Sequence, residues 1–180
     1  IINAYGFDYG AGIGGGDYSS GGNIEILGGQ VTAINAPVDI NDWTSKSASG
    51  IGGSQGMHSG KIAISGDTTV VNAQGSYACA GIGGSRRDIT ITNGATVTAR
   101  GGESAAGIGG YDQNKGASTI TITGGAKVTA FGGKEASGIG QGENSRAVSN
   151  LLFSDDAEIF AYSDGVKAAI TGTPQENSAS

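Results

Sequence analysis

The chain has 180 residues, of which 36 are glycine, and its formal net charge is −6, from 10 Lys and Arg against 16 Asp and Glu. This balance excludes a nucleic-acid-binding protein, which needs clustered basic residues to meet phosphates. The one cysteine excludes an internal disulfide framework, and no apolar stretch of the sequence is long enough to span a membrane.

Three short phrases recur in chain order. The first resembles Val-Thr-Ala, and its apolar residue stands at Ile2, Val31, Val71, Val97, Val128 and Ile159. The second is Gly-Ile-Gly, with its isoleucine at Ile13, Ile51, Ile82, Ile108 and Ile139 and a decayed copy at Ile170. The third places apolar residues at alternate positions, as Ile24/Ile26, Ile62/Ile64, Ile89/Ile91, Ile120/Ile122 and Leu151/Phe153. Apolar alternation rich in Ile, Val and Thr predicts β-strands.

The repeat length predicts a solenoid. The Gly-Ile-Gly isoleucines lie 26 residues apart at the closest, from Ile82 to Ile108, and 38 at the widest, from Ile13 to Ile51. Recurrence in this range indicates stacked structural units. The prediction is an all-β, right-handed, single-stranded parallel β-helix of five to six rungs, each with three short strands. A β-propeller is the runner-up, but its blades need four strands and longer units.

The predicted domain organisation is simple. Residues 1–172 form the β-helix and residues 173–180 form a polar linker or tail. Because the chain opens inside a Val-Thr-Ala phrase, we expect it to be a fragment of a longer protein. Cys79 falls in a row of small residues and is expected to be a buried thiol.

The repeats resemble two groups of known proteins. The phrases of Ala106–Gly110, Thr119–Gly125 and Lys127–Ala130 are similar to Gly-rich repeats in large surface proteins of Gram-positive and gut bacteria. They also resemble the pectin-lyase-like β-helices of carbohydrate-binding and carbohydrate-cleaving proteins. The resemblance spans roughly residues 1–172, and it implies export, a secreted or cell-surface location, and a ligand that is often a polysaccharide.

Outward-facing aromatic residues are the candidate binding site, because sugars stack on aromatic rings. There are two such groups. The first is Trp43 with Asp42, in an insertion after Ala36, and the second lies on the outward face of the Val-Thr-Ala strands. The second group consists of Tyr5, Arg100, Phe131, Phe160 and Tyr162. The alternatives stay open: Trp43 packs the insertion onto the coil, and the C-terminal aromatic residues contact a cap or a following domain.

Catalytic and metal-binding residues are not predicted. Asp155 and Asp156 form the most suggestive carboxylate pair, but they occupy a turn, where Asp is common. His58 is the one histidine, so a His-based metal or acid–base cluster is not expected. No cofactor is expected either, and calcium bound by scattered Asp carboxylates is left as an alternative.

The sequence therefore predicts a non-catalytic, adhesin-like module on a bacterial cell surface. The expected partner is a polysaccharide or a host or cell-surface glycan, with a host protein as an alternative. Two other functions stay open on the same fold, a polysaccharide lyase or hydrolase and a purely structural stalk. An enzyme should cluster acidic and basic groups in a groove, a binder should expose aromatic residues in a row, and a stalk should show neither.

Overall fold

The computed structural model describes residues 1–36, 47–84, 88–111, 117–145 and 148–174. Its regular elements are short strands, and within the described ranges no helix is long and apolar enough to cross a bilayer. The strands are β1 (Ile2–Phe7), β2 (Ile13–Gly14), β3 (Ile24–Ile26), β4 (Gln30–Ala36), β5 (Ile51–Gly52), β6 (Ile62–Ser65), β7 (Val70–Gln74), β8 (Ile82–Gly83), β9 (Ile89–Thr92), β10 (Thr96–Arg100), β11 (Ile108–Gly109), β12 (Thr119–Ile122), β13 (Lys127–Phe131), β14 (Ile139–Gly140), β15 (Val148–Phe153), β16 (Glu158–Tyr162) and β17 (Gly172–Pro174).

These strands form three parallel sheets, one for each repeated phrase. The Val-Thr-Ala sheet has the order β1-β4-β7-β10-β13-β16, and the Gly-Ile-Gly sheet has the order β2-β5-β8-β11-β14. The alternating-isoleucine sheet has the order β3-β6-β9-β12-β15-β17. Apart from β17, which carries none of the three phrases and pairs with β15, each strand pairs with the strand of the same phrase in the next rung, which is the connectivity of a β-helix. The predicted right-handed parallel β-helix with three strands per rung is confirmed.

The interior consists of columns of like residues stacked along the solenoid axis. Ile51, Ile82, Ile108 and Ile139 have no exposed surface, and their strands pair in register. The alternating-isoleucine and Val-Thr-Ala sheets add their own inward rows to the same cluster. Each buried Ile or Val contributes about 1.5–3 kcal/mol relative to exposure. The core therefore runs along the axis and leaves the alternate side chains of every strand outside.

Asn35, just before the predicted insertion in the sequence, links three successive rungs through its side chain. Its side chain is buried, and Nδ2 donates to the backbone oxygens of Asp8 (3.1 Å) and Gly10 (2.7 Å). Its Oδ1 accepts a hydrogen bond from the hydroxyl of Ser76 in the next rung. A buried amide satisfied on both sides stabilises one register among three rungs. Residues 37–46, which carry Trp43 and Asp42, lie outside the described part of the chain.

The two ends of the stack expose residues that are buried in the middle. Ile2 is 56% exposed and Ile170 is 39% exposed, although both occupy inward columns. Ile170 is bridged to Ile139, so the decayed sixth Gly-Ile-Gly phrase does lie in the predicted column. The last strand, β17, pairs with β15 and reaches Pro174. The predicted tail is residues 173–180: its first two residues belong to β17, and those from 175 onward lie outside the described residues. The domain boundaries stay a prediction.

Cys79 lies inside the solenoid wall, as the row of small residues indicates. It is buried, and its Sγ donates to the Ser47 hydroxyl at 3.6 Å. Burial raises the pKa of the thiol from 9.0 to about 12, against a smaller lowering by the hydrogen bond with Ser47. A neutral, enclosed thiol is a weak nucleophile. The residue is therefore part of the packing rather than a reactive group.

We expect Cys79 to resist iodoacetamide at neutral pH in the folded protein and to react once the protein is unfolded.

The raised pKa of Cys79 also makes the stability of the protein depend on pH. Between pH 9 and about 12 the thiol of the unfolded chain loses its proton while the thiol of the folded protein keeps it. The free energy of unfolding contributed by Cys79 is therefore fully present below pH 9 and falls by about 1.4 kcal/mol per pH unit across this window. Denaturant titrations of wild type and Cys79→Ala across this window test it, and parallel pH profiles would contradict it.

Candidate functional surface

The outward face of the Val-Thr-Ala sheet carries the predicted binding row. In-register pairing of all six strands aligns Tyr5, Ile34, Gln74, Arg100, Phe131 and Tyr162 along the solenoid axis. Inward Val and Ala alternate with these residues on each strand, so the row faces away from the core. The structure thus brings four of the predicted residues into one line and places Phe160 two residues before Tyr162 on β16.

Three members of this row stack on one another. The Arg100 guanidinium lies over the Phe131 ring, 3.8 Å from its centroid. The Phe131 and Tyr162 rings stack with centroids 4.9 Å apart and an interplanar angle of 11°. The strand spacing of a sheet, about 4.8 Å, accounts for this distance. Ring stacking contributes about 0.5–1.5 kcal/mol and an exposed cation–π pair about 0.5–1 kcal/mol. The stack is therefore ordered before any ligand arrives.

The stack is accessible from solvent. Tyr162 and Phe160 are each 49% exposed. Among the described residues no carboxylate forms an ion pair with Arg100, so the edges of its guanidinium are free to donate hydrogen bonds. We call Arg100, Phe131, Phe160 and Tyr162 the C-terminal platform. This surface offers a ligand two exposed aromatic rings and one half-buried ring for stacking. The Arg100 guanidinium beside them can donate hydrogen bonds.

A second, mostly polar row runs beside the first. Its members pair in register and end at the platform, in the order Asn3, Thr32, Asn72, Thr98, Thr129 and Phe160. A third outward position holds Lys127 and Glu158, whose Nζ and Oε2 are 3.5 Å apart. Both side chains are more than half exposed, so this pair adds little stability. The sheet therefore carries, side by side, one row with aromatic residues at both ends and one row of hydroxyl and amide side chains.

Glycines of the neighbouring sheet support the backbone of the platform. A Cβ added to Gly107 would lie 2.8 Å from both the nitrogen and the oxygen of Phe131. A Cβ on Gly138 would lie 2.7 Å from the nitrogen of Tyr162, and one on Gly81 would lie 2.7 Å from the nitrogen of Arg100. These are distances that real Cβ atoms do not adopt. The first glycine of each Gly-Ile-Gly phrase is thus required for the close approach of the two sheets.

Tyr5 stands at the opposite end of the row, and sequence analysis overlooked its neighbours. Tyr5 is 58% exposed and Phe7, two residues on along β1, is 61% exposed. In the turns that follow, the rings of Tyr9 and Tyr18 stack with centroids 5.8 Å apart. The alternation of Tyr5, Phe7 and Tyr9 is visible in the sequence. It escaped notice because the repeat alignment compared only positions shared by every rung.

A polar cleft was also missed by sequence analysis. Its volume is about 180 Å³, and its walls are formed by Tyr77, Glu103, Ser104, Lys134, Glu135 and Glu143. The turns stack through backbone hydrogen bonds, from Lys134 N to Glu103 O (2.6 Å) and from Glu143 N to Ser104 O (2.8 Å). Stacking of variable turn residues from successive rungs brings these carboxylates together. No repeated phrase contains these residues, so aligning the repeats did not predict the cluster.

The other candidate chemistry stays dispersed. Asp155 and Asp156 are exposed in the turn before β16, where the Asp156 carboxylate accepts a hydrogen bond from Ser154. Within the described ranges no three His, Cys, Asp or Glu side chains come together in an arrangement suited to a metal ion. His58 is half-buried and has interactions of its own. Calcium binding by scattered carboxylates stays an alternative, and binding by Trp43 and Asp42 stays a prediction.

Comparison with known proteins supports the architecture. The family model described as Beta helix repeat matches residues 1–17, 24–55, 62–86, 89–110 and 120–140, well over half of the chain. No curated protein and no solved structure matches significantly. The matched segments contain β1 to β11, β13 and β14, all of β12 except its first residue, and most of the outward row. They leave out the C-terminal rung, which supplies Phe160 and Tyr162.

Proposed function

We propose that this chain, which belongs to the beta helix repeat family, is a non-catalytic module of a bacterial surface protein that binds carbohydrate. The observation that carries the proposal is the C-terminal platform, in which Arg100, Phe131 and Tyr162 stack on the open face of a sheet. A flat, pre-ordered aromatic surface suits the apolar face of a sugar ring. The polar row beside it suits the hydroxyl groups at the edge of that ring.

The location follows as part of the same proposal. A regular solenoid with a ligand surface along one side is suited to displaying that surface away from a cell, and the resemblance of the repeats to bacterial surface proteins supports an extracellular role. The expected partner is a polysaccharide or a cell-surface glycan. Because no carboxylate among the described residues forms an ion pair with Arg100, its guanidinium favours a sugar that carries an acceptor such as a carboxylate next to the stacked ring.

Replacing Phe131, Phe160 and Tyr162 with alanine should weaken binding by about a hundredfold or more, because three aromatic anchors that each contribute about 1 kcal/mol or more sum to about 3 kcal/mol or more. The measurement is titration calorimetry with polygalacturonate, xylan, mannan and a soluble β-glucan, in calcium and in chelator. Leu27→Ala is the matched control, since Leu27 is a 67% exposed apolar residue outside the platform. Trp43→Ala, measured in parallel, tests whether the insertion contributes to carbohydrate binding.

Two outcomes would contradict the proposal. If a folded triple variant bound as tightly as wild type, the platform would not be the site. If wild type bound none of the polysaccharides, the module would be a stalk or would recognise protein. Circular dichroism establishes that each variant is folded before its affinity is interpreted.

A hydrolase is the second candidate, and the polar cleft is the observation that favours it. Hydrolysis of a glycosidic bond needs two carboxyl groups on opposite sides of it, and Glu103, Glu135 and Glu143 line one cleft. Shortened chains in the calorimetry samples, absent with Glu103→Gln or Glu135→Gln, would support an enzyme. If the polysaccharides keep their length, the hydrolase hypothesis is contradicted and the non-catalytic binding module remains.

A further inference from the structure

We infer that Tyr5 and Phe7 form a second sugar-binding contact, which holds the same polysaccharide chain as the C-terminal platform. The inference rests on the proposed function and adds to it the length and direction of the ligand. An extended glycan would run along the solenoid axis, from β1 to β16, on the outward face of the Val-Thr-Ala sheet. We call Tyr5 and Phe7 the N-terminal contact.

The first argument is the exposure of the two rings. Tyr5 and Phe7 occupy alternate positions on β1, so both point away from the core, while Gly6 between them is buried. Their exposed fractions, 58% and 61%, exceed those of Phe160 and Tyr162. Two neighbouring rings left open on one strand form an apolar surface of the same kind as the platform.

The second argument is register, which selects the occupant. Tyr5 pairs with Ile34, and the row continues without interruption to Phe131 and Tyr162. Four strand intervals separate β1 from β13, so the N-terminal contact and the platform lie about 20 Å apart on one line. The polar row from Asn3 to Thr129 follows the same line. A linear polymer with apolar ring faces and hydroxyl edges matches this surface, because its apolar faces can lie on the aromatic residues at the two ends and its hydroxyl groups can reach the polar row between them.

The third argument is the character of the positions between the two contacts. Between Tyr5 and Arg100 the row holds Ile34, which is partly exposed, and Gln74, which is exposed, so no acidic side chain interrupts the row. Asn72 and Thr98 flank them on the polar row and can donate and accept hydrogen bonds. A chain bound at one end can therefore extend to the other, and the second contact forms at high effective concentration.

The test compares short and long ligands. Wild type, Tyr5→Ala/Phe7→Ala and Leu27→Ala are titrated with polygalacturonate, xylan, mannan and β-glucan, each as disaccharide, intermediate oligomers and polymer. The expected result is that the double variant loses about a hundredfold in affinity for polymer, the lower range of gains from linked contacts. Its affinity for the disaccharide bound at the platform stays within about twofold of wild type.

The remaining outcomes are distinct. Equal polymer binding by wild type and a folded double variant would overturn the second contact and leave the proposed function intact. Loss of disaccharide and polymer binding together would make Tyr5 and Phe7 the primary site and overturn the two-contact arrangement. If wild type bound no form of any polysaccharide, the proposed function and this inference would both fall. Light scattering tests one further outcome. If the wild type self-associates and the double variant does not, Tyr5 and Phe7 bind a second copy of the chain, and the inference is overturned.

Discussion

Ile108→Ala is expected to lower the free energy of unfolding by about 2–5 kcal/mol. Ile108 lies at the middle of the Gly-Ile-Gly column, has no exposed surface, and is flanked by Ile82 and Ile139 in register. Truncation removes three methyl or methylene carbons from a site closed above and below by like residues. The column cannot collapse into the gap, because the strand spacing is fixed by backbone hydrogen bonds. Urea denaturation followed by circular dichroism measures the loss.

Ile170→Ala is the internal control for this prediction. Ile170 occupies the same column, bridged to Ile139, but is 39% exposed at the end of the stack. Its truncation should cost less than half as much, because a partly exposed side chain contributes less burial and its gap opens to solvent. Equal losses for the two variants, or an unchanged midpoint for Ile108→Ala, would contradict the central position of the column.

The sequence was sufficient for the fold because the repeat imposes the structure directly. In a solenoid each strand pairs with its own copy in the next rung, so aligning the phrases amounts to aligning the strands. The predicted row from Tyr5 to Tyr162 is therefore found in the structure in the predicted order. Alternation then assigns each residue to the inside or the outside. Few globular folds allow register to be predicted from the sequence in this way.

The surface was predictable only in part. Stacking of Arg100 on Phe131 follows from register, but the polar cleft depends on turns whose sequences differ between rungs. Turn residues such as Glu103 and Lys134 have no repeated pattern to align, and their side chains meet only because the coils above and below fix the turns. The aromatic contact at Phe7 was missed for the same reason, since no other rung has an aromatic residue there. The residues that sequence analysis missed thus lie at positions where the residue type differs from rung to rung, and binding residues are often found at such variable positions.

The platform also depends on positions where the repeat is strictly kept, and Gly107→Ala should show this. The added Cβ would lie 2.8 Å from the backbone N and O of Phe131 and from the oxygen of Gly138. All three are backbone atoms and cannot rotate away, so the two sheets must separate. We expect a loss of about 3 kcal/mol in stability, at or above the upper range for overpacking. Carbohydrate binding should fall with it even at temperatures where the protein is folded, because the strand under Phe131 is displaced.

Gly22→Ala is the matched control, since a Cβ at this exposed glycine meets no atom within 4 Å. It should melt and bind as wild type does. Thermal denaturation of the two glycine variants, with near-ultraviolet circular dichroism, to which the stacked Phe131 and Tyr162 rings contribute, separates local displacement from global loss. If Gly107→Ala melted and bound like Gly22→Ala, the close contact between the sheets would not be needed for the platform. If it melted early but bound normally when folded, the glycine would stabilise the coil without positioning the ligand surface.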